Sequence, residues 1–236
     1  MVFMAIIDFH SHILPGIDDG SRDVSMSLEL LRESRKQGIS TIVATPHFYA
    51  GHDTINEFLN RRHIALERLQ ENVTFSSPTL ICGAEVYFFN GIGHADGMER
   101  FCIEGTNLLL LEMPFRAWSR RNLYEVELLS NRGMVPIIAH LERFYRFQKD
   151  KELIDELLDF PAYIQINAES LLSWRTRHQS LKLFKAGQAH LLGSDCHNIT
   201  SRPQNLVAGR AVLERKIGRK LLTQIDQLGK TLLEKY

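Results

Sequence analysis

Short apolar segments alternate with longer amphipathic segments along the whole chain. Seven runs are short and nearly continuous in apolar residues, which is typical of parallel strands that are covered on both faces. They are AIIDFH (5–10), STIVATPH (40–47), TLICGAEV (79–86), NLLLLEM (107–113), MVPIIAH (134–140), AYIQIN (162–167) and AHLLGSD (189–195). We predict a strand at each of these positions.

The segments between the runs have the periodicity and end signals of helices. Residues 24–37 follow Asp23, which suits an N-cap, and Thr54 and Glu57 form a T-x-x-E capping box at the start of 54–71. Further helices are predicted at 119–132, 150–159, 178–187, 204–217 and 219–235. Repeated strand–helix units of this size favour a parallel sheet, either open or closed.

Nothing along the 236 residues marks a linker, because there is no Pro/Ser-rich stretch, low-complexity segment or charge block. We therefore predict one α/β domain over 1–236, with terminal helices from about residue 204. The loop at 90–101 carries three glycines between two predicted strands and is the best candidate for mobility.

Charge and cysteine content narrow the function classes. The 28 basic and 28 acidic residues cancel, which argues against general binding of nucleic acid. No run has the uninterrupted apolar length of a membrane span, and the start MVFMAIIDFHSH lacks the charged segment of a signal peptide. The three cysteines are too few for a disulfide framework, so we expect a cytoplasmic protein without membrane insertion.

Six of the seven predicted strands end in residues that can bind a metal. These residues are His10, His12, His47, Glu85, Glu112, His140, Asp195 and His197. The carboxyl ends of parallel strands share one face, so the side chains are expected to converge there. Only the strand at 162–167, which leads into Asn167-Ala168-Glu169, is ambiguous.

Such a cluster would contain four carboxylates, those of Asp19, Glu85, Glu112 and Asp195. Mutual repulsion and burial would raise their pKa values, and several would be protonated at neutral pH without cations. Divalent metals remove this problem, and imidazole with carboxylate suits zinc, manganese or iron. We therefore predict a multinuclear metal site.

The motifs at these strand ends resemble those of the polymerase-and-histidinol-phosphatase (PHP) superfamily. They are His10-Ser11-His12, Thr45-Pro46-His47, Gly83-Ala84-Glu85, Glu112, His140 and Ser194-Asp195-Cys196-His197. HSHILPGIDDGSRD, IAHLER and SDCHN with its following Arg-Pro pair look like the bacterial CpsB/CapC-type capsule and exopolysaccharide protein-tyrosine phosphatases. The resemblance runs from residue 7 to about 205. It implies a distorted seven-stranded parallel βα barrel, similar to a TIM barrel.

The resemblance also implies three divalent metal ions, namely manganese, with zinc or iron as alternatives. The ligands of the first ion would be His10, His12, Glu85 and Asp195. The ligands of the second would be Glu85 as a bridge, Glu112 and His140. The ligands of the third would be Asp19, His47 and His197, which resolves the Asp18-Asp19 pair; Asp18 would face outward or support the turn. Arg143 and Arg202 match positions that hold the substrate phosphate.

The implied activity is that of a phosphoric monoester hydrolase. Its substrate would be a phosphotyrosine protein, namely the tail of a bacterial tyrosine kinase that controls capsular or exopolysaccharide synthesis. Metal-activated hydroxide would attack phosphorus in line while Arg143 and Arg202 clamp phosphate oxygens. His47, His197 or a water would assist the leaving phenolate. Three divalent ions and four carboxylates leave a net charge that suits a phosphate dianion.

Three alternatives remain. The first is a PHP phosphatase for a small phosphate monoester such as histidinol phosphate, and the second is a catalytically silent PHP scaffold. The third uses Cys196 and Arg202, which have the C-x5-R spacing of cysteine-dependent tyrosine phosphatases. The intervening loop lacks the glycine that a cradle of backbone amides usually needs, so the cysteine mechanism is disfavoured.

Overall fold

The computed structural model describes residues 5–76, 78–149 and 151–234. Within them, every strand pairing is parallel. The strands are β1 (Ile6–Ser11), β2 (Ile39–Ala44), β3 (His47–Phe48), β4 (Thr79–Cys82), β5 (Glu85–Tyr87), β6 (Leu108–Glu112), β7 (Val135–Ile138), β8 (Tyr163–Asn167) and β9 (Leu191–Gly193). The predicted parallel α/β fold is confirmed.

Two of the predicted strands are interrupted, and the interruptions move the chain from one sheet to another. One sheet has the order β1-β2-β4, and a curled half-barrel sheet has the order β3-β5-β6-β7-β8-β9. The run at 40–47 is divided at Pro46, which has no N–H for a ladder, and the run at 79–86 is divided at Gly83. After the breaks, the chain continues in β3 and β5, where His47 pairs with Glu85.

Seven predicted helices are present, and their caps are as expected. The helices are α1 (Val24–Lys36), α2 (Ile55–Gln70), α3 (Arg120–Asn131), α4 (Glu152–Leu158), α5 (Ala168–Leu172), α6 (Arg177–Lys185), α7 (Leu206–Lys216) and α8 (Arg219–Glu234), and only the short α5 is not predicted. Asp23 accepts from the Met26 backbone N–H, and the Thr54–Glu57 capping box forms both of its bonds. The predicted helix positions at residues 150 and 235 lie outside the described residues.

Three short 3-10 helices complete the described elements, at Ile92–His94, Met98–Phe101 and Leu141–Arg146. The first two lie in the loop at 90–101, for which the sequence predicts mobility. Instead, the Glu125 carboxylate of α3 accepts from the backbone N–H groups of Gly91 at 3.1 Å and Gly93 at 2.8 Å. A Cβ atom on Gly93 would lie 2.6 Å from Leu128 Cβ, so this loop is packed tightly against α3.

A separate apolar cluster fills the space enclosed by the strands. It contains Phe9 of β1, Leu110 of β6 and Leu191 of β9, together with Leu232 of α8. A Cβ atom on Gly229 would lie 2.8 Å from the Phe9 ring, so α8 approaches the strands closely. Helix α8 is therefore part of the core.

Among the described residues, none of the helices has the combination of length and apolar composition that a membrane span requires.

Candidate metal centre

The structure brings together all nine predicted metal-ligating side chains. They form overlapping groups of His, Asp and Glu atoms that lie within 4.8 Å of one another and could hold metal ions. The nine residues are His10, His12, Asp19, His47, Glu85, Glu112, His140, Asp195 and His197. Asp19 is exposed and His47 is partly buried, whereas the other seven are buried. Residues from distant parts of the sequence therefore share one site.

The first predicted ligand set is the tightest. His10 Nε2 lies 3.0 Å from His12 Nε2, 3.1 Å from Glu85 Oε2 and 3.5 Å from Asp195 Oδ1. His12 Nε2 lies 3.1 Å from Glu85 Oε2 and 3.4 Å from Asp195 Oδ1. Bonds of about 2.0–2.2 Å to a shared ion put neighbouring ligand atoms roughly 3.0–3.5 Å apart. His10 and His12 therefore have ligand spacing to each other and to both carboxylates, although the group of atoms within 4.8 Å of one another contains His10, His12 and Asp195 without Glu85.

Glu85 faces a second group with its other oxygen. His140 Nε2 lies 2.9 Å from Glu85 Oε1 and 3.3 Å from Glu112 Oε1. Because Glu85 Oε2 belongs to the first group, the two oxygens of this carboxylate are directed at different groups. This is the arrangement that a bridging carboxylate requires.

The third group lies toward solvent. Asp19 Oδ1 lies 3.3 Å from His197 Nε2 and 3.7 Å from His47 Nε2. The same group includes His12. Asp19 is 66% exposed, so this group forms the outer part of the site.

Several buried polar atoms in the cluster have no hydrogen-bond partner among the described residues. They include His47 Nδ1, Asp195 Oδ1 and His197 Nε2. His47 Nδ1 is 3.1 Å from Glu85 Oε2, but without the geometry of a hydrogen bond. Buried polar groups are nearly always paired, and bonds to a metal would satisfy all three atoms. The residues therefore fit a metal site.

Two candidate ligands have a strained backbone. His140 has φ of 32° and Asp195 has φ of 53°. This left-handed region is unfavourable for residues other than glycine and costs on the order of 1–3 kcal/mol for each residue. These are the only described non-glycine residues with positive φ, and each lies two residues after the last residue of a strand. The strain is concentrated where the chain leaves the sheet and enters the cluster.

Strand β8 supports the cluster through Gln165 and Asn167. Gln165 Oε1 accepts from His10 Nδ1 at 3.1 Å and from the His140 backbone N–H at 2.9 Å. Its amide donates to Asn167 Oδ1 at 2.9 Å, and Asn167 Nδ2 donates to Asp195 Oδ2 at 2.7 Å. With the proton on Nδ1, the Nε2 atom of His10 is free to bind a metal. The signal in the sequence was Q-x-N within an apolar strand, which puts two amides on one face.

Asp18 orients His12 in the same way that Gln165 orients His10. Asp18 Oδ2 accepts from His12 Nδ1 at 2.7 Å and from the His47 backbone N–H at 2.9 Å, while Oδ1 accepts from the Gly20 N–H at 2.9 Å. Of the two alternatives predicted for Asp18, facing outward or supporting the turn, the structure shows the second, since its side chain is buried and bonds within the turn. Asp18 orients His12, and its neighbour Asp19 faces the outer group.

The imidazoles reverse the expected pKa shifts of the deepest carboxylates. Burial alone would raise the pKa of Glu85, but His10 and His47 outweigh it and hold that pKa well below its usual value. Burial is likewise outweighed at Asp195, chiefly by His10, and its pKa also lies well below the usual value. The prediction of raised pKa values considered only burial and repulsion among the carboxylates. It did not include the attraction of the histidines that lie between them.

Arg143 and Arg202 converge on one atom. The Nη2 atoms of both side chains lie 2.7 Å from Asp195 Oδ2, although the two residues come from different segments. Both guanidinium groups are about one-third exposed. They therefore border the site where it opens to solvent and bring two positive charges to its rim.

Cys196 does not have the surroundings of a nucleophile. It is fully buried, and its Sγ lies 3.3 Å from Ser11 Oγ. Burial raises the pKa of this thiol to about 11. Arg202 is directed at Asp195, so the C-x5-R spacing does not form a thiolate–arginine pair.

Comparisons with known proteins find relatives that match nearly the whole chain. A family with the description "Capsular polysaccharide synthesis, CpsB/CapC" matches residues 6–229. The tyrosine-protein phosphatase YwqE of Bacillus subtilis (strain 168) is 30% identical over 237 residues, covering 97% of this chain and 91% of YwqE. The tyrosine-protein phosphatase CpsB of Streptococcus pneumoniae is 29% identical over 230 residues, covering 91% and 92% of the two chains.

Solved structures show the same relationship. A structure from the work on YwqE from Bacillus subtilis and CpsB from Streptococcus pneumoniae, described as unique metal-dependent tyrosine phosphatases, superposes with a TM-score of 0.82 at 29% identity. The match covers 97% of this chain and 94% of that one. An organophosphorus hydrolase mutant from Deinococcus radiodurans has a TM-score of 0.57 at 14% identity over 98% and 92% of the two chains, which shows a similar fold only.

Proposed function

Because the chain belongs to the CpsB/CapC family of capsular polysaccharide synthesis, we propose that it is a metal-dependent tyrosine-protein phosphatase. The resemblance that its motifs carry is confirmed. The observation that supports this function best is the buried His/Asp/Glu cluster with two arginines at its rim, in a chain whose near-full-length relatives are tyrosine-protein phosphatases. These relatives do not favour a phosphatase for a small ester such as histidinol phosphate.

We propose that the cluster holds three divalent ions. His10, His12, Glu85 and Asp195 would hold the first; Glu85, Glu112 and His140 the second; and Asp19, His47 and His197 the third. The ligand spacings, the two-sided contacts of Glu85 and the unpartnered atoms Asp195 Oδ1 and His197 Nε2 support this assignment. The unpartnered His47 Nδ1 faces Glu85 rather than Asp19. Imidazole and carboxylate donors without cysteine suit manganese, zinc or iron, and the preference for manganese rests on the family resemblance.

Bound divalent ions supply positive charge to phosphate oxygens and lower the pKa of an attacking water. Arg143 and Arg202 would bind phosphate oxygens through planar pairs of N–H groups, which lysine cannot offer. The phenolate leaving group has a pKa of about 10 and needs little protonation. His47 and His197 are the proposed groups to assist it, and His47 is the more accessible of the two.

The finer features of the fold belong to the same proposal. If β2 with β3, and β4 with β5, each count as one interrupted strand, the strands make a distorted seven-stranded βα barrel. A parallel bridge between Ser11 and Cys196 supports closure, since it links β1 to the segment after β9. The contact of α8 with β1 supports a single domain over 1–236. A cytoplasmic setting and a tyrosine kinase tail as substrate fit a family of capsule synthesis.

Metal analysis combined with substrate comparison tests this function. We expect the purified protein to contain divalent metal, to hydrolyse a phosphotyrosine peptide in preference to a phosphoserine peptide, and to lose this activity after chelation. Manganese or zinc would then be added back in separate reactions. A higher kcat/KM for histidinol phosphate than for the phosphotyrosine peptide would support the small-ester alternative. Absence of metal from protein purified without chelator would support the scaffold alternative.

Replacing Cys196 separates the metal mechanism from the cysteine mechanism. Cys196→Ser is expected to keep most of the activity, because the thiol is buried and Ser11 Oγ, which lies 3.3 Å from its Sγ, can bond to a hydroxyl. Activity on a phosphotyrosine peptide and metal content would be measured together. An inactive Cys196→Ser protein that still binds its metals would contradict the metal mechanism.

A further inference from the structure

A cavity of about 450 Å³ lies beside the candidate metal centre, and most of its charged wall is positive. Four cationic residues line it: Arg143, Arg146, Lys151 and Arg175. We call this cavity the basic groove. Arg143 also contacts Asp195 in the metal centre, so one side chain belongs to both places.

Arg146 lies on the same short helix as Arg143 and points to the same side of it. Both lie on the 3-10 helix Leu141–Arg146, three residues apart. Side chains at i and i+3 of a 3-10 helix eclipse, and the rise of about 2.0 Å per residue separates them by about 6 Å. An extended peptide covers that distance in about two residues. The groove is therefore within reach of a residue close to the phosphotyrosine.

The outer three cations of the groove have no carboxylate partner within 4.0 Å among the residues described. Each lies instead near an aromatic ring: Arg146 Cζ is 4.7 Å from the Phe147 centroid, Lys151 Nζ is 5.9 Å from that of Tyr145, and Arg175 Cζ is 5.3 Å from that of Trp174. By contrast, Arg120 just outside the groove is paired with both Glu152 and Glu156. The groove therefore keeps three exposed positive charges that its own acidic residues do not neutralise.

Carboxyl groups lie near the groove, among them Asp155, which acts electrostatically on the groove residue Tyr145, but none of those described is within 4.0 Å of these three cations. Glu142 lines the groove but is buried, and its Oε1 accepts from the Asn167 backbone N–H. Glu169 lines a neighbouring cavity of about 200 Å³ that also contains Arg143. The positive charge of the groove is thus greatest on the side away from the metal centre.

We propose that the basic groove binds an acidic or phosphorylated side chain of the substrate peptide, next to the phosphotyrosine in the metal centre. This rests on the proposed function, because it assigns a second anchor to the same substrate. Trp174, which is 77% exposed beside Arg175, adds an aromatic surface for the peptide chain. A peptide fits better than nucleic acid, because the whole chain has no net positive charge.

The test uses a variant that removes the three outer cations and leaves Arg143 in place. Arg146→Gln/Lys151→Gln/Arg175→Gln would be compared with Arg215→Gln/Lys216→Gln/Lys220→Gln, which removes the same charge from exposed positions outside the groove. The substrates are p-nitrophenyl phosphate and two phosphotyrosine peptides that differ only in having neutral or Glu/Asp flanking residues. Binding of the acidic peptide in unphosphorylated form, followed by fluorescence anisotropy, gives a readout without turnover.

The groove variant is expected to raise KM for the acidic peptide roughly ten-fold at low salt, since several exposed ion pairs are lost together. Its kcat, and both constants for p-nitrophenyl phosphate and the neutral peptide, should stay within about two-fold of wild type. The control variant should match wild type for all substrates. Equal KM ratios of acidic to neutral peptide in wild type and groove variant would overturn the proposal.

Two further outcomes would contradict the peptide proposal and the proposed function, respectively. Weakened binding to anionic phospholipid vesicles, with unchanged peptide KM, would assign the groove to a membrane surface and overturn the peptide proposal. Failure of the metal-loaded wild type to hydrolyse any of the phosphotyrosine substrates would refute the proposed function. In that case, the anisotropy of the acidic peptide still decides whether the groove binds it.

Discussion

Replacing Glu85 by glutamine is expected to lower kcat/KM for a phosphotyrosine peptide by on the order of a thousand-fold. The change keeps the shape of the side chain but removes the charge shared by two ligand groups. Glu85 Oε2 is 3.1 Å from His10 and His12, while Oε1 is 2.9 Å from His140. One substitution therefore weakens the first and second metal positions together, and metal content per chain should fall with activity.

Glu125→Gln is the matched control for this experiment. Glu125 is also a buried glutamate, but it holds the loop at 90–101 through the N–H groups of Gly91 and Gly93. Its replacement should lower the melting temperature while the protein keeps its metals and most of its activity. If Glu85→Gln keeps full metal content and wild-type kcat/KM, the bridging role is wrong.

The two neighbouring aspartates give the second large effect. Asp19→Asn is expected to lower kcat/KM by roughly a hundred-fold or more, because it removes the only carboxylate of the third metal group. Asp18→Asn is expected to cost only about ten-fold, because an amide oxygen can still accept from His12 Nδ1. Kinetics and metal content of both variants check this ranking.

Asp53→Asn serves as the control for the aspartate pair. Asp53 lines the same cavity as Asp19 and His47, but it pairs with Arg61 and belongs to none of the candidate ligand groups. It should leave kcat/KM and metal content unchanged. If Asp18→Asn is more damaging than Asp19→Asn, then orientation of His12 matters more than the outer metal group, and the assignment of Asp19 would fail.

Eight of the nine candidate ligands were predictable because parallel strands follow a simple rule, whereas Asp19 was assigned only through the family resemblance. His10 and His12 lie on one face since strand residues alternate, and the carboxyl ends of all strands meet at one edge. Local sequence is enough for such an inference. The helices at 24–37 and 54–71 were equally accessible, because Asp23 and Thr54 satisfy the first backbone N–H groups through bonds to their own neighbours.

The features that escaped prediction depend on contacts between distant segments. Pro46 and Gly83 sit inside runs that read as continuous strands, and only the paired sheets show that the chain changes partners there. The support that Gln165 gives to His10 joins residues 155 positions apart. The pKa of Glu85 depends on which imidazoles surround it, and composition alone does not contain that information.

The close contact between Gly229 and the Phe9 ring has a consequence for the order in which the protein forms. β1 is synthesised among the first residues of the chain, whereas α8 emerges after every strand has been made. Until α8 has left the ribosome, the apolar side chains between the strands lack Leu232 and remain accessible to water or to other nascent chains. Packing of this apolar cluster therefore cannot be completed while the strands are being made, because it requires the last of the described helices.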